Sequence, residues 1–522
     1  MLQCAIDGSC PCHTLSQAEE KLAAAKAVVE RLTLETHRLK YAVNAFHDPL
    51  IHLLPRELAS QIFTLCIPPT DQRLLTRSNQ ARFSSSASIL SLVCSAWRDI
   101  ACSTPQLWNV LSMRLRAPES VSILQHTESF LSRSRSLPLI IRIDTHKYED
   151  LPYFPSATFY PIIDALNLHW HRWHTLELCI PFSLTSKLHC GSHGEESLLQ
   201  NLSIKVPSQL RGSRSRTGFG STSKGLVRPA MVNICGLHLK AVQIDWSQVT
   251  QVEFDTLSVR ECLELLSSAP KLERLDINFF HRTGTSEDGP FIPVTHHSLE
   301  TLDCPFGSLT AILFDKLVLP GLEDLNIKGY GPYDSLERLL MRSSYPLVKF
   351  HLEETRSDSW SLIPLLRAMP DLEEIFLWDL NSYMEIRELC TLMKNTTAFM
   401  VESDPSTLFL PRLESFQYHG CPRLLWATIP SWFPPVLESP DTLYRPLSSF
   451  SIWLEIHPLE VADYYIDRDS LPGLIDLAEE MGSRFSIKNI HDELSEDIIE
   501  GSRKYHNLPD VESDSDDEEG VE

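Results

Sequence analysis

A short apolar pattern recurs through the middle of the chain and narrows the folds that the chain can adopt. The pattern is Leu-x-x-apolar-x-apolar, and its first positions are Leu199, Val249, Leu272, Leu299, Leu322, Leu347, Leu372, Leu413 and Leu447. From Val249 to Leu372 the successive spacings are 23, 27, 23, 25 and 25 residues. A repeat of this length holds one strand and its return segment, and it cannot bury its apolar side alone. The turns are therefore predicted to stack on one another.

Helical stretches and prolines separate the predicted strands. Residues Ser258 to Ala269 and Asp334 to Met341 have the apolar spacing of helices. Prolines that end a helix and favour extended backbone stand just ahead of six strands, at Pro270, Pro320, Pro346, Pro370, Pro411 and Pro446. The region resembles irregular leucine-rich repeats, a family whose fold is an α/β solenoid. The asparagine usual after the strand is missing, and Tyr330 stands at one such position.

The N-terminal region carries a heptad pattern. Its apolar and small residues are Leu15, Ala18, Leu22, Ala25, Val29, Leu32, Thr36, Leu39, Val43 and Phe46. This spacing predicts an amphipathic helix that ends before Pro49. Two interpretations remain open: a coiled coil with another copy, or a helix laid on its own domain.

Three motifs follow in order between Leu53 and Trp108. Leu54-Pro55-Arg56-Glu57-Leu58 starts a helix, Val93-Cys94-Ser95-Ala96-Trp97-Arg98 comes next, and Leu107-Trp108 closes the stretch. Proline at the start of a helix costs no hydrogen bond, and a glutamate suits the positive end of the helix dipole. The combination resembles the F-box, and in particular the F-box-like proteins of mushroom-forming fungi.

This resemblance implies a three-helix unit that binds a small Skp-type adaptor, which in turn sits on a cullin. The residues that it assigns to adaptor binding are Leu54, Pro55, Leu58, Ile62, Val93, Cys94, Trp97, Leu107 and Trp108. The family's spacing between the first two motifs is shorter than here. The additional residues, Pro68 to Ser88, include a basic patch and three serines, and we expect them to form an exposed loop.

Composition excludes several classes of function. The net charge of −23 opposes a broad phosphate-binding surface, so we expect no nucleic-acid partner. No apolar run reaches the length of a membrane helix, and no secretory signal is visible, so we expect no membrane partner. The 13 cysteines are mostly isolated in apolar patterns, as free thiols are. These features predict an intracellular protein, cytoplasmic and/or nuclear.

Motifs for catalysis or for cofactors do not stand out. The segment His169 to His174 holds three histidines, but their spacing is that of packing residues at a helix-to-strand junction. Cys4 with Cys10 to His13 lacks a second cysteine pair, and Gly218-Phe219-Gly220 lacks the remainder of a phosphate loop. We therefore predict no catalytic residue, no metal site and no cofactor.

The predicted fold class is α/β: an N-terminal helix and a three-helix F-box, followed by a leucine-rich-repeat-like α/β solenoid. The predicted parts are a flexible N-terminus (1–13), an amphipathic or coiled-coil helix (14–48), the F-box (50–110), a connecting segment (111–171), the solenoid (172–460, with a flexible insertion at 209–227), a C-terminal cap (461–505) and a disordered acidic tail (506–522).

The function expected from the resemblance is that of a non-catalytic adaptor, which recruits an unknown protein substrate to a Skp–cullin–F-box ubiquitin ligase. The alternative is a repeat scaffold that binds no ligase. Five glutamates follow the first leucine of a repeat and are predicted to form an outward acidic row that binds substrate: Glu273, Glu300, Glu323, Glu373 and Glu414. The tail residues Ser513 and Ser515 lie among carboxylates, a context for acidophilic kinases.

Overall fold

The structure is a computed structural model. It describes residues 11–47, 53–67, 86–115, 120–145, 155–190, 197–207, 218–220, 226–282, 291–329, 331–343, 347–353, 362–378, 383–396, 398–400, 409–420, 425–433, 442–454, 465–491 and 494–506. Residues 507–522 of the predicted acidic tail and most of the two predicted loops lie outside these residues.

The chain divides into two compact units. Unit 1 comprises Met1–Ile180 and Glu195–Leu198, and unit 2 comprises Pro181–Gly194 and Leu199–Glu522. The predicted solenoid begins at residue 172, so the first strand assigned to it belongs to unit 1.

Unit 1 begins with helices. They are α1 (Pro11–His47), α2 (Arg56–Leu65), α3 (Ser86–Val93) and α4 (Ser95–Ser103), followed by a 3-10 turn at Pro105–Trp108. The predicted exposed loop therefore ends earlier than expected, because its last three residues already belong to α3. Helix α1 covers the predicted amphipathic helix but starts at Pro11, so residues 11–13 of the predicted flexible N-terminus are helical.

Two motif residues set where helices start. Pro55 immediately precedes α2, where a missing N–H needs no partner. Cys94 caps α4, because its Sγ accepts a hydrogen bond from the Trp97 N–H at 3.4 Å. Part of the three-motif pattern is thus explained by helix geometry alone.

The rest of unit 1 alternates strand and helix. Its elements are β1 (Val110–Arg114), α5 (Ser120–Arg133), β2 (Leu139–Asp144), α6 (Tyr160–Asn167) and β3 (Trp173–Cys179). Strand β2 pairs in parallel with both β1 and β3. The buried Arg172 guanidinium donates to the carbonyls of Leu131 and Leu137 and to Ser134 Oγ, so it links the region after α5 to the start of β3. Burial lowers the pKa of Arg172.

Unit 2 contains most of the strands. They are β4 (Asn201–Lys205), β5 (Met231–Cys235), β6 (Gln251–Leu257), β7 (Arg274–Phe280), β8 (Val294–Thr295), β9 (Thr301–Pro305), β10 (Leu317–Val318), β11 (Asp324–Lys328), β12 (Lys349–Glu353), β13 (Glu374–Trp378), β14 (Ala398–Met400), β15 (Ser415–Gly420), β16 (Thr442–Tyr444), β17 (Ser449–Leu454), β18 (Phe485–His491) and β19 (Leu494–Asp497).

These strands form a large sheet in chain order. Neighbours run β4-β5-β6-β7-β9-β11-β12-β13-β15-β17-β18-β19. The pairs are parallel up to β18, and β19 pairs antiparallel with β18. Two small ribbons accompany the sheet, a parallel β8–β10 pair and an antiparallel β14–β16 pair. The predicted α/β class is confirmed.

The core of unit 2 is built from stacked equivalent positions. The first residue of every predicted repeat is buried. The second apolar position forms an aligned row: Leu202, Val232, Val252, Leu275, Leu302, Leu325, Phe350, Ile375, Phe416, Phe450 and Phe485. Fully burying one such side chain stabilises the fold by about 1.5–3 kcal/mol. Each turn therefore covers the apolar edge of the turn before it.

Helices of unit 2 follow the strands. They are α7 (Phe182–Thr185), α8 (Val259–Ser268), α9 (Ser308–Phe314), α10 (Tyr333–Ser343), α11 (Leu362–Arg367), α12 (Tyr383–Asn395), α13 (Leu471–Met481) and α14 (Ile498–Tyr505). Helix α8 confirms the helix predicted at 258–269: Ser258 is its N-cap, Ala269 its C-cap, and Ser258 with Glu261 forms a capping box.

A buried arginine stabilises the long segment between β13 and β17. The Arg445 side chain donates to the carbonyls of Leu410, Phe409 and Met393 and to both Thr396 oxygens. Burial lowers its pKa to about 10. These bonds satisfy backbone carbonyls that burial would otherwise leave without donors.

The predicted flexible insertion contains a firmly packed segment. Phe219 is completely buried and forms a parallel bridge with Val242. A Cβ at Gly218 would lie 2.1 Å from the Ala241 carbonyl oxygen, so only glycine allows this approach. The structure thus differs from the prediction at residues 218–220, because an aromatic anchor interrupts the polar stretch.

Candidate functional site

Helices α2 and α3 are apolar on two faces. On their inner faces Ala59 and Phe63 of α2, and Ala87 and Leu90 of α3, are buried. The Phe63 ring lies 4.9 Å from the ring of Trp97 on α4, centroid to centroid. The Thr104 hydroxyl donates to Ser60 Oγ at 2.9 Å and so joins the end of α4 to α2. These contacts account for the inner faces alone.

The outer faces carry large apolar side chains that the described chain leaves exposed. They are Leu53 before α2, Leu58, Ile62 and Leu65 on α2, and Ile89, Leu92 and Val93 on α3. Leu65 is 85% exposed and Leu92 is 78% exposed. Single exposed leucines are ordinary, but seven within two short helical segments mark an interaction surface. We call these seven residues the outer apolar face.

The predicted adaptor-binding residues divide between surface and support. Leu58, Ile62 and Val93 lie on the outer apolar face, and Pro55 is exposed beside it. Leu54, Cys94 and Trp97 are half-buried. Each of these predicted adaptor-binding residues therefore either retains surface that a partner can reach or supports the helices that carry the outer apolar face.

Leu107 and Trp108 differ from that expectation, because both are buried. Trp108 Nε1 donates to the Ala101 carbonyl at 2.7 Å, and its ring packs edge-on against Phe130 at 5.0 Å. The Arg133 guanidinium lies over the same ring at 4.4 Å. Trp108 therefore holds α4 against α5, and neither side chain offers surface that a partner can reach.

Helix α1 exposes its heptad positions. Leu15, Leu22, Val29, Leu32, Leu39, Val43 and Phe46 are each more than half exposed. Its Tyr41 hydroxyl lies 2.5 Å from Ser95 Oγ on α4. These heptad side chains therefore do not pack against the described residues of the chain, and pairing of the helix with another copy stays a prediction.

The five predicted glutamates lie in a backbone-linked row in unit 2. The Glu273 carbonyl accepts from the Glu300 N–H at 2.8 Å, and the Glu300 carbonyl from the Glu323 N–H at 2.9 Å. Val348 follows, and then the Glu373 carbonyl accepts from the Glu414 N–H at 2.8 Å. All but the half-buried Glu373 are exposed. The five glutamates thus lie in one row, with Val348 between Glu323 and Glu373, and substrate binding by them stays a prediction; we call these five residues the glutamate row.

Further carboxylates lie in the centre of the sheet: Glu253 is exposed, Asp276 is half-buried and Asp303 is buried. Glu253, Asp276 and Asp303 occupy equivalent positions on β6, β7 and β9. Burial and the Asp276 charge raise the pKa of Glu253, and burial and the Asp303 charge raise that of Asp276. Lys328 Nζ lies 3.0 Å from Asp303 Oδ1 and partly offsets this negative charge.

An aromatic cluster covers the same sheet face further along. The Phe376 ring lies 5.8 Å from Trp378 and 6.3 Å from Trp453, and Trp378 stacks on His419 at 4.1 Å. His351 packs against Phe376 at 5.7 Å. Trp378 is 38% exposed, so part of its side chain is open to a ligand. Rings of this kind attract cationic groups through their π-faces.

Metal-ligating side chains also converge in unit 2. Within the described residues, His238, Glu261 and His281 bring one ligand atom each to within 4.8 Å of the others. By contrast, the His169 and His171 rings that the sequence singled out are 6.4 Å apart, centroid to centroid. No spacing motif connects these three residues in the sequence, so their convergence could not be predicted from it.

Membrane insertion finds no support in the described helices: none combines the length and apolar character that a membrane crossing requires. No protein-family model matches this chain, and no curated protein shows significant sequence similarity to it.

Proposed function

We propose that this protein is a non-catalytic adaptor that recruits substrates to a Skp–cullin–F-box ubiquitin ligase. The observation that carries the proposal is the outer apolar face of α2 and α3, on helices whose inner faces are already buried. A helix that is apolar on both faces is stable when both are covered. A small helical adaptor protein supplies the missing cover.

The three-motif pattern supports this choice of partner. Leu58, Ile62 and Val93, which the F-box resemblance assigns to adaptor binding, belong to the outer apolar face. Burying a leucine or isoleucine removes apolar surface worth about 1.5–3 kcal/mol per side chain from water. Part of that gain offsets the entropy lost on association, so a few such residues suffice for a micromolar or tighter complex.

The mechanism of such an adaptor is proximity. The ligase core carries the charged conjugating enzyme, and this chain holds the substrate beside it. The effective concentration of the acceptor lysine rises, and a bimolecular transfer becomes nearly intramolecular. The chain itself needs no catalytic residue for this role.

Substrate binding is assigned to the sheet of unit 2. The glutamate row and the carboxylates of Glu253 and Asp276 make one part of the outward surface acidic. The cluster around Trp378 offers aromatic faces on the same sheet. A lysine- or arginine-rich segment satisfies both features through charge complementarity and cation–π contacts.

The adaptor proposal is tested by gel filtration of the full chain with a purified Skp-type adaptor. The wild-type chain is expected to form a one-to-one complex at micromolar concentration. Leu58→Asp with Ile62→Asp should abolish the complex, because both side chains are exposed and their replacement by charge leaves the core intact.

A matched control is Ile312→Asp with Met341→Asp, which changes two exposed apolar residues on helices of unit 2. This control is expected to bind the adaptor like the wild type. Separate elution of adaptor and wild-type chain would reject the ligase role and favour the alternative of a scaffold that binds no ligase.

Substrate binding is tested by capture of partner proteins with the five glutamates of the row changed to lysine. The control changes five exposed carboxylates on the helices instead: Asp334, Glu388, Asp476, Glu479 and Glu480. Both variants shift the net charge equally, so a loss of partners confined to the first assigns recognition to the glutamate row. A chain without residues 508–522 is expected to keep its partners, and their loss would move recognition to the tail.

A further inference from the structure

Three consecutive strands of unit 2 bring metal-ligating side chains to one edge of the sheet. His238 lies shortly after β5, Glu261 lies in the first turn of α8 directly after β6, and His281 follows β7. The His281 N–H donates to the Leu257 carbonyl at 3.0 Å, which holds the ends of β6 and β7 in register. The carboxyl ends of parallel strands are where α/β sheets form their binding sites.

The distances suit one shared ion. Glu261 Oε1 lies 3.6 Å from His238 Nδ1, and Glu261 Oε2 lies 4.0 Å from His281 Nε2. Tetrahedral zinc with ligand bonds of about 2.0–2.1 Å sets its donor atoms roughly 3.3 Å apart. Small rotations of the imidazoles therefore bring all three donors to coordinating distance.

The carboxylate is already oriented by groups around it. Glu261 Oε1 accepts from the Leu239 N–H at 3.2 Å, and Oε2 accepts from the Ser258 N–H and hydroxyl at 3.1 and 2.9 Å. Hydrogen bonds of this kind fix ligating carboxylates in metal sites. The Glu261 side chain is only 11% exposed, whereas His238 is 43% exposed, so the group is anchored inside and open to solvent on one side.

We propose that His238, Glu261 and His281 bind a divalent transition-metal ion, with Zn²⁺ as the ion of best fit. Two imidazole nitrogens and one carboxylate oxygen form a donor set that zinc accepts, and magnesium and calcium prefer oxygen ligands alone. The fourth position faces solvent and takes water. The ion links three successive turns of unit 2 and stabilises their carboxyl edge.

The test is isothermal titration of the full chain with Zn²⁺, carried out with Cys4, Cys10 and Cys12 changed to serine to remove competing thiols. One equivalent of Zn²⁺ is expected to bind at micromolar concentration or below, and Co²⁺ is expected to give the visible absorption of a four-coordinate site. The melting temperature should rise with Zn²⁺, because a ligand that binds only the folded state stabilises it.

His238→Ala, His281→Ala and Glu261→Gln are each expected to weaken Zn²⁺ binding by about 100-fold or more, since each removes a direct ligand or its charge. Glutamine keeps an oxygen for the helix cap, so Glu261→Gln separates metal binding from capping. Controls are His297→Ala, an exposed histidine, and Glu264→Gln, the next turn of α8.

His238 is the most exposed of the three ligands, so its variant keeps the test valid if the other two fail to fold. Equal Zn²⁺ affinity in the wild type and in His238→Ala would overturn the proposal, as would a wild-type chain that binds no Zn²⁺. In either case the three residues would form only the hydrogen-bonded cap of α8.

Discussion

The helices of unit 1 and the repeats of unit 2 bury their apolar side chains in different ways. In unit 2 each turn is covered by the next, and α8 turns Cys262, Leu265 and Leu266 inward while Arg260 and Glu264 face out. In unit 1 the short helix α2 buries Phe63 on one side and exposes Leu65 on the other. Stacked turns can complete their core within the chain, whereas a small helical unit has more apolar surface than it can enclose.

Stability is expected to come mainly from the stacked side chains of unit 2, and binding from the outer apolar face of unit 1. Loss of a stacked side chain in unit 2 should weaken the fold strongly, and loss of an outer side chain in unit 1 should weaken only an association. Four variants test this difference in expected effect.

The largest effect is expected at Phe450. Its ring is fully buried and stacks on Phe416 at 5.6 Å and on Phe485 at 5.1 Å. Phe450→Ala should lower the free energy of unfolding by about 3–5 kcal/mol, because it leaves a cavity in the stacked row. Urea denaturation measures the change, with Ser449→Ala as the control on the same strand. A loss below about 1 kcal/mol would mean that the aromatic row is not a tight core.

The next effect depends on pH and concerns Glu261. Burial alone would raise the pKa of this carboxyl, but hydrogen bonds from His238 and Ser258 outweigh it and lower the pKa from 4.5 to about 2. Because the folded-state pKa is the lower one, the stabilisation is complete above pH 4.5 and is lost as the pH falls towards 2. This contribution is at most about 3 kcal/mol at neutral pH.

Denaturation of the wild type and of Glu261→Gln, with a chelator present, measures this contribution. The difference in the free energy of unfolding should shrink by about 2 kcal/mol between pH 7 and pH 3. A difference that stays constant over this range would show that the carboxylate is not selectively stabilised in the folded state.

A smaller effect is expected at Trp97. Its ring is half-buried and contacts Phe63, so Trp97→Ala should cost about 2 kcal/mol, less than a fully buried tryptophan would. Near-ultraviolet circular dichroism during thermal unfolding follows this change in unit 1. Trp97→Phe keeps a ring against Phe63 and should recover most of the stability; a Trp97→Ala chain as stable as the wild type would show that the ring contributes no packing.

The smallest change in stability is expected on the outer apolar face. Leu58→Asp with Ile62→Asp should lower the free energy of unfolding of the isolated chain by about 1 kcal/mol, because both side chains already lie partly in water, at 45% and 37% exposure. Circular dichroism melts of the chain without adaptor measure this. A drop as large as that expected for Phe450→Ala would show that this face is covered within the chain, and the contrast between the units would fail.

Sequence periodicity predicts the repeats and the glutamate row, but it does not predict the cluster of His238, Glu261 and His281. The leucine at the start of each turn predicted the buried row, since a position that recurs every turn meets its equivalents when turns stack. Strands β5 and β18 do not show the pattern, because Pro229 and Gly482 stand at the position where the pattern has a leucine. The glutamate row followed from the same periodicity.

Contacts between residues that are far apart in the sequence cannot be predicted from this periodicity. His238, Glu261 and His281 meet only because three strands end at one edge, and Phe219 is anchored although its neighbours are polar. The burial of Trp108 likewise depends on Phe130 and Arg133, which lie outside the motif that predicted an adaptor contact. A motif resemblance identifies which residues matter and leaves open whether each one binds or supports.

The reversal of the last strand has a consequence for self-assembly. A parallel sheet that grows one strand per turn ends in an edge of unpaired N–H and C=O groups, and such an edge attracts further strands. Here β19 turns back antiparallel on β18, and the exposed Asp497 places a charge at the edge where another chain would have to pair. Removing residues 494–506 would expose the side of β18 that continues the sheet, and the shortened chain should form fibres or higher oligomers where the full chain stays dispersed.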